Sequence, residues 1–112
     1  MINKIEIEVQ ITCESSPIHE VFLCGDLALA ITPRIADTVI FEFKDSKFLS
    51  LSQGWFLFNR KIEELIFRPL PVNNFPPVLA VMEKIVVKNE DEMYLLVDYF
   101  KEELDFKQVF NR

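Results

Sequence analysis

Several residue types on which catalytic and ligand-binding motifs depend are scarce in this chain. It has two glycines, two cysteines and one histidine, which are Gly25, Gly54, Cys13, Cys24 and His19. Loops that cradle phosphates need several glycines close together, so this class of nucleotide site is excluded. Zinc usually takes about four ligands in paired short spacings, and the chain has no Cys-x-x-Cys pair and no second histidine. The sequence therefore predicts neither a cofactor nor a metal.

Positive charge is also in short supply. Lys and Arg number 12 against 18 Asp and Glu, which gives a formal net charge of −6 at pH 7. Nucleic-acid binding is driven by Lys and Arg, so nucleic acid is not a predicted partner, whereas a basic protein is compatible with this balance. No apolar run is long enough to cross a bilayer, and charges interrupt the N-terminal MINKIEIEVQ, unlike a signal peptide. We predict a cytoplasmic protein with reduced thiols and no membrane partner.

Apolar residues are plentiful. Half of the 112 residues are hydrophobic and 12% are aromatic, which is enough to bury a core without metals or disulfides. We predict one α+β domain spanning residues 1–112. Its expected architecture is a mainly antiparallel sheet of five or six strands with a C-terminal helix packed on one face.

The stretch 38–60, TVIFEFKDSKFLSLSQGWFLFNR, dominates this prediction because it concentrates aromatic and β-branched residues, which favour strands. It predicts a β-meander with strands at 39–44, 48–52 and 55–59. A register that keeps charges off the core requires a bulged three-residue turn at 45–47 and a tight turn at Gln53-Gly54. The core face then carries Val39, Phe41, Phe43, Leu49, Leu51, Phe56 and Phe58.

The opposite face of this meander carries four large apolar side chains, which are Ile40, Phe48, Trp55 and Leu57. This is more apolar surface than solvent alone explains. Two explanations stay open. Another layer of the same chain covers the face, or a protein partner does, including a second copy in a homodimer.

The flanking segments complete the predicted sheet. Strict alternation over 4–13 predicts a strand whose buried face holds Ile5, Ile7, Val9, Ile11 and Cys13 and whose solvated face holds Glu6, Glu8, Gln10 and Thr12. A turn at 14–17 leads to a second strand, 18–24, that ends at Gly25-Asp26. Segments 27–31 and 61–67 fit either helix or strand, and 78–88 is predicted as strand. The prolines of 69–77 make that segment a rigid connector.

The clearest helix covers 89–104, with Asn89 as its N-cap and three acidic residues in its first turn. Its apolar stripe holds Met93, Leu96, Val97, Phe100 and Leu104 and is expected against the aromatic face of the sheet. Residues 105–112 either extend this helix or fray.

The other side of the helix carries an acidic stripe of Asp91, Asp98, Glu102 and Asp105, bordered by Tyr94, Leu95 and Tyr99. Asp98 and Glu102 stand at i,i+4, where like charges destabilise a helix by about 0.2–0.5 kcal/mol. Aromatic and aliphatic anchors inside a charged rim are typical of protein interfaces. The alternative is a solvated face of an acidic protein.

We therefore predict a non-catalytic protein-binding module, such as an adaptor or an acidic inhibitor of the immunity or antitoxin type. Its predicted contact residues are Asp91, Leu95, Asp98, Tyr99 and Glu102 on the helix, and Ile40, Phe48, Trp55 and Leu57 on the sheet.

Two alternatives remain open. One is a structural homo-oligomer with the Trp55 face as its self-interface. The other is a small enzyme or ligand-binding domain that uses His19 with nearby cysteines and acids, for example a Cys13–His19 pair across the 14–17 turn. A disulfide is not predicted, because the expected hairpin places Cys13 opposite Ile18 and Cys24 opposite Ile7, too far apart to bridge.

Overall fold

The computed structural model of this chain describes residues 3–29, 33–52, 57–67 and 78–109. Within these ranges it contains seven β-strands, one α-helix and one 3-10 helix. In chain order they are β1 (Asn3–Cys13), β2 (Ser16–Leu29), β3 (Thr38–Glu42), the 3-10 helix (Ser46–Ser52), β4 (Leu57–Phe67), β5 (Val78–Met82), β6 (Ile85–Val87), α1 (Glu90–Leu104) and β7 (Lys107–Val109).

The seven strands form one sheet in the order β3-β4-β5-β1-β2-β7, with β6 also paired to β1. Strand β1 lies at the centre. It pairs antiparallel with β2 on one edge and parallel with β5 and then β6 on the other edge. The α+β class with a C-terminal helix is confirmed, but the sheet is mixed rather than built from antiparallel pairs alone. Its parallel pairs arise because the chain returns to β1 through a long connection and not through a hairpin.

The alternation predicted for β1 is confirmed on one face only. Its inward side chains are all buried, and they are Ile5, Ile7, Val9, Ile11 and Cys13. The expectation of a fully solvated opposite face is wrong at Glu8 and Thr12, which are 7% and 8% exposed. Glu8 lies between Cys24 of β2 and Val81 of β5, and neighbours on both edges shield the second face of a central strand.

The hairpin between β1 and β2 differs from its expected register. Cys13 pairs with Ser16, the register shifts between Thr12 and Cys13, and Ile7 then faces Gly25 instead of Cys24. A one-residue slip moves a side chain to the other face of a sheet, so Cys24 points away from the face that carries Cys13. Strand β2 also runs through Gly25 to Leu29 rather than ending at Gly25-Asp26.

The end of α1 explains why β2 has a glycine in its interior. Asp105 adopts a left-handed φ of 57°, and the N–H of Phe106 donates to the Phe100 carbonyl at 2.9 Å. This turn brings the buried ring of Phe106 onto Gly25, where a Cβ would overlap the ring. Strand β7 follows and pairs with β2. The expectation that the chain after 104 extends the helix or frays is therefore wrong for 105–109.

The predicted meander is correct at its ends and wrong in its middle. Strand β3 pairs directly with the start of β4, with Phe41 opposite Phe58. The segment between them forms a 3-10 helix and not a strand after a bulged turn. Residues three apart in such a helix point the same way, so Phe48 turns inward with Leu51. Phe48 is fully buried although the meander placed it on the outer face. The predicted turn at Gln53-Gly54 lies outside the described residues.

The ambiguous segments become strands where the structure describes them. Residues 61–67 continue β4, and 27–29 complete β2, whereas 30–31 and the connector 69–77 lie outside the described residues. The strand prediction for 78–88 is confirmed in two pieces, β5 and β6. Between them Glu83 holds the Lys61 backbone of β4, through its N–H to the Lys61 carbonyl at 2.8 Å and its Oε1 to the Lys61 N–H at 2.9 Å.

Helix α1 packs on the inner face of the sheet through a cluster of aromatic side chains. The cluster consists of Phe41, Phe43, Phe48, Phe58, Tyr99, Phe100 and Phe106. Tyr99 meets the rings of Phe43 and Phe48 edge-on, with centroids 4.7 and 5.6 Å away. Its hydroxyl donates to the Glu42 carbonyl at 2.8 Å. Helix, 3-10 helix and sheet therefore share one aromatic core.

We expect Gly25→Ala to lower the free energy of unfolding by about 1–3 kcal/mol, because the new methyl group must displace the Phe106 ring. Urea unfolding of the full chain measures this change. In a double-mutant cycle with Phe106→Leu, the cost of Gly25→Ala should shrink, since the smaller side chain leaves room for the methyl group. Equal costs in both backgrounds would contradict the contact.

Candidate functional site

The outward side of α1 is fixed by the way the helix begins. The Asn89 side chain accepts the N–H of Glu92 at 2.9 Å, and Glu92 Oε2 accepts the N–H of Lys88 at 3.0 Å. This reciprocal cap sets the first turn, and its three acidic residues lie at the positive end of the helix dipole. The helix then buries one stripe, and the opposite stripe faces outward.

We call this opposite stripe the outer helix face and define it as Asp91, Tyr94, Leu95, Asp98 and Glu102. Leu95 is half-buried and the other four are exposed, with Tyr94 at 56%. Spacings of three and four residues place these side chains side by side on one surface. The face therefore combines an exposed aromatic ring with carboxylates on both sides of it.

Cations compensate part of the negative charge of the outer helix face near its C-terminal end. Glu102 forms an ion pair with Lys47 of the 3-10 helix at 2.7 Å, and the Glu102 hydrogen bond raises the pKa of Lys47. Lys101 adds a cation near the same end of α1, with its Nζ 3.3 Å from Gln108 Oε1. Asp91 and Asp98 make no ion pair within the described ranges. The charge of Asp98 also raises the pKa of Lys47, so Asp91 carries the least compensated charge of the face.

Two predicted contact residues belong to the core. Tyr99 is fully buried, and burial, with the nearby Glu103 and Glu42 carboxylates, raises its pKa. Phe48 is buried beside it. The sequence pattern misassigned Tyr99 because its apolar ring suits the core while its hydroxyl finds a carbonyl there. Neither residue can belong to a surface that contacts a partner.

The predicted sheet surface is not brought together by the described residues. Ile40 is 58% exposed on β3, while Phe48 points inward. Trp55 lies outside the described residues, and for Leu57 only its place at the start of β4 is described.

The residues proposed for an alternative chemistry have separate hydrogen-bonding neighbours. His19 Nδ1 lies 3.1 Å from Glu90 Oε1 at the start of α1, and Cys13 Sγ lies 3.1 Å from Ser15 Oγ. Cys13 and Cys24 form no disulfide with each other and lie on opposite faces of the sheet. Among the described residues, no group of three or more His, Cys, Asp and Glu side chains could hold a metal ion.

A cleft of about 350 Å³ that no sequence pattern predicted lies on the inner face of the sheet. Residues 57–61 of β4 pair with β3 and, among the described residues, not with β6. The cleft lies between this part of β4 and β6, next to the 3-10 helix and the first turns of α1. We call it the Arg60 cleft. Its lining combines the polar residues Ser50, Arg60, Lys88 and Glu92 with the apolar residues Phe43, Leu51, Phe58, Ile85, Val86, Val87 and Leu96.

Arg60 is the half-buried cation of this cleft. Its Nη1 donates to the Asn59 carbonyl at 2.6 Å, and its guanidinium carbon lies 5.6 Å from the centroid of the Phe58 ring. It forms no ion pair with an acidic residue in the described ranges. The alternation of Phe58, Arg60 and Ile62 along β4 was the available sequence signal, since it places a cation on an inward face.

Comparisons of the chain with protein-family models, with curated proteins and with solved structures found no match. The surfaces described above are therefore the basis for inferring a function. In the described part of the chain, no helix has the length and apolar character needed to span a membrane.

We expect Tyr99→Phe to lower the free energy of unfolding by about 0.5–1.5 kcal/mol at pH 7, because it removes the hydrogen bond to the Glu42 carbonyl and keeps the ring. A tyrosine whose pKa is raised in the folded state ionises more readily when unfolded. Wild-type stability should therefore fall as pH rises above the ordinary value of 10.0, and the variant should lack this contribution.

Urea unfolding from pH 7 to pH 11 tests both expectations. Tyr94→Phe is the matched control, because Tyr94 is exposed on the same helix and should change stability little at either pH. Equal effects of the two substitutions would show that the buried Tyr99 hydroxyl contributes no more to the free energy of unfolding than the exposed Tyr94 hydroxyl.

Proposed function

We propose that this protein is a non-catalytic protein-binding module whose outer helix face binds a basic surface of another protein. The observation that carries the proposal is Tyr94, an exposed aromatic ring that stands between the exposed carboxylates of Asp91 and Asp98. Leu95 adds a half-buried apolar side chain beside the ring. A central aromatic anchor within a charged rim is the usual composition of an interface hot spot.

The charge of the whole molecule supports the same kind of partner. The net charge of −6 attracts a basic protein over a distance, and the unpaired carboxylates of Asp91 and Asp98 orient it on arrival. Contact with the Tyr94 ring would then supply most of the short-range binding energy, because large aromatic side chains bury much area at little entropic cost. An adaptor or an acidic inhibitor of the immunity or antitoxin type acts in this way, by occupying a basic surface.

A structural homo-oligomer is the second candidate, and Ile40 favours it. Strand β3 forms one end of the strand order, and its Ile40 is 58% exposed. An edge strand with an exposed aliphatic side chain can pair with the same strand of a second copy. Such pairing would extend the sheet across two chains and leave the outer helix face uncovered.

We expect charge reversal on the outer helix face to abolish capture of a basic partner. The experiment is a pull-down from native cell extract with wild type, Asp91→Lys/Asp98→Lys and Tyr94→Ala. The matched control, Glu63→Lys/Glu64→Lys, makes the same change in net charge on exposed residues of β4. Circular dichroism and urea unfolding verify that each variant is folded.

Capture of a basic protein by wild type and by the β4 control, with loss in both helix variants, would support the proposal. Equal capture by all four proteins would place the contact elsewhere and contradict the proposal.

Light scattering of wild type and Ile40→Lys tests the homo-oligomer, since an oligomer that forms through β3 should dissociate in the variant.

A further inference from the structure

Arg60 occupies an unusual position for a cation. It follows Phe58 and precedes Ile62 on the inward side of β4, where Ile62 is buried and Phe58 is half-buried. Withdrawing a charged group from water costs free energy unless its donors find acceptors. A guanidinium has five N–H donors, and Arg60 makes one hydrogen bond with a described residue, to the Asn59 carbonyl. Its remaining donors therefore have no protein acceptor in the described part of the chain.

The shape of the guanidinium restricts what would satisfy these donors. Its planar fork matches the two oxygens of a carboxylate or a phosphate through parallel hydrogen bonds. The same cleft contains the Glu92 carboxylate, which would repel an incoming anion. Repulsion is weaker for a carboxylate with one negative charge than for a phosphate with about −1.5 to −2. A carboxylate is therefore the better match.

The remaining charges of the cleft favour a single negative charge. Lys88 is exposed at the cleft and contributes a second cation. Glu92 already accepts the Lys88 N–H at 3.0 Å and lies in the first turn of α1, where the helix dipole partly offsets its charge. The cleft thus carries a small positive excess within an acidic protein.

The size and walls of the cleft define the rest of the ligand. A volume of about 350 Å³ lies near the lower end of the range of roughly 300–1,000 Å³ that is typical of small-molecule sites. Leu51, Phe58 and Leu96 offer apolar surface beside the Arg60 guanidinium. Such a site has room for one aromatic ring or a short alkyl chain beside the Arg60 guanidinium.

We propose that the Arg60 cleft binds a small organic carboxylate, with its acid group on the Arg60 guanidinium and its apolar body against Leu51, Phe58 and Leu96. The step is reversible binding with no change in covalent bonds. The cleft uses none of the residues of the outer helix face, and its residues on α1 are Glu92 and Leu96.

The probe is 4-phenylbutyrate, and its neutral counterpart is 4-phenylbutan-1-ol. Each is titrated into the ¹⁵N-labelled full chain and followed by amide chemical shifts and by calorimetry. The acid should shift the amides of cleft residues such as Leu51, Phe58 and Val87. It should bind at least about tenfold more tightly than the alcohol, because hydrogen bonds between charged groups are the strong ones.

Arg60→Gln should weaken binding of the acid by about tenfold or more and leave binding of the alcohol unchanged. Arg60→Lys keeps the charge and removes the fork, so its affinity should fall between those of wild type and Arg60→Gln. The matched control is Lys61→Gln, the next residue on β4, whose side chain alternates to the other face and whose loss should change affinity less than about twofold.

Thermal unfolding of each variant shows that the protein under test is folded, and Arg60→Lys keeps the test decisive if Arg60→Gln is unstable. Three results would overturn the proposal. They are equal affinity for acid and alcohol, equal weakening by Lys61→Gln and Arg60→Gln, and a titration that leaves the cleft amides unshifted.

Discussion

Burial of aromatic rings between α1 and the sheet is the constraint on which the rest of the structure depends. Tyr99 and Phe100 of the helix meet Phe41, Phe43 and Phe58 from the β3–β4 region, largely in edge-to-face contacts. Removing a buried aromatic side chain typically costs about 3–5 kcal/mol, a large share of the net stability of a small domain. The segments next to the helix and the sheet therefore adopt the backbone conformations that bring their aromatic rings into this cluster.

The 3-10 helix and the end of α1 both follow from that constraint. A strand over 46–52 would turn Phe48 away from Tyr99, whereas a 3-10 helix brings their ring centroids to 5.6 Å. At the other end, Asp105 accepts a left-handed backbone so that Phe106 can stack on Phe100, with centroids 5.3 Å apart. With the inner stripe of α1 held in this way, Tyr94 and its flanking carboxylates must face outward.

Local patterns were sufficient for much of the fold. Alternation revealed β1, and the Asn89 cap with its apolar stripe revealed α1, because both signals act over a few residues. The run 48–51, Phe-Leu-Ser-Leu, suits either a period of two or a spacing of three, so local pattern alone could not distinguish strand from 3-10 helix. Strand β7 depends on contact between Gly25 and Phe106, which no short-range pattern records.

The two candidate surfaces also differ in whether a short-range sequence pattern predicts them. The acidic stripe could be read from helical spacing, although Tyr99 was assigned to the wrong side because a phenol suits both water and core. The Arg60 cleft could not be read in this way, since it exists only where β4 leaves the edge that β6 occupies. The one sequence feature that indicates the cleft is Arg60, a single arginine at an inward position between Phe58 and Ile62.

The parallel pairing of β1 has a consequence for how the chain reaches this structure. Strand β1 can pair with β2 as soon as the first hairpin closes. Its other edge stays unpaired until β5 and β6 are in place, because Glu6 pairs with Leu79 and Cys13 pairs with Val87. Contacts between such distant segments slow folding, because a long loop must close before they form. Until these pairs form, β1 has an open edge, and strand edges of this kind can associate with other partly folded chains.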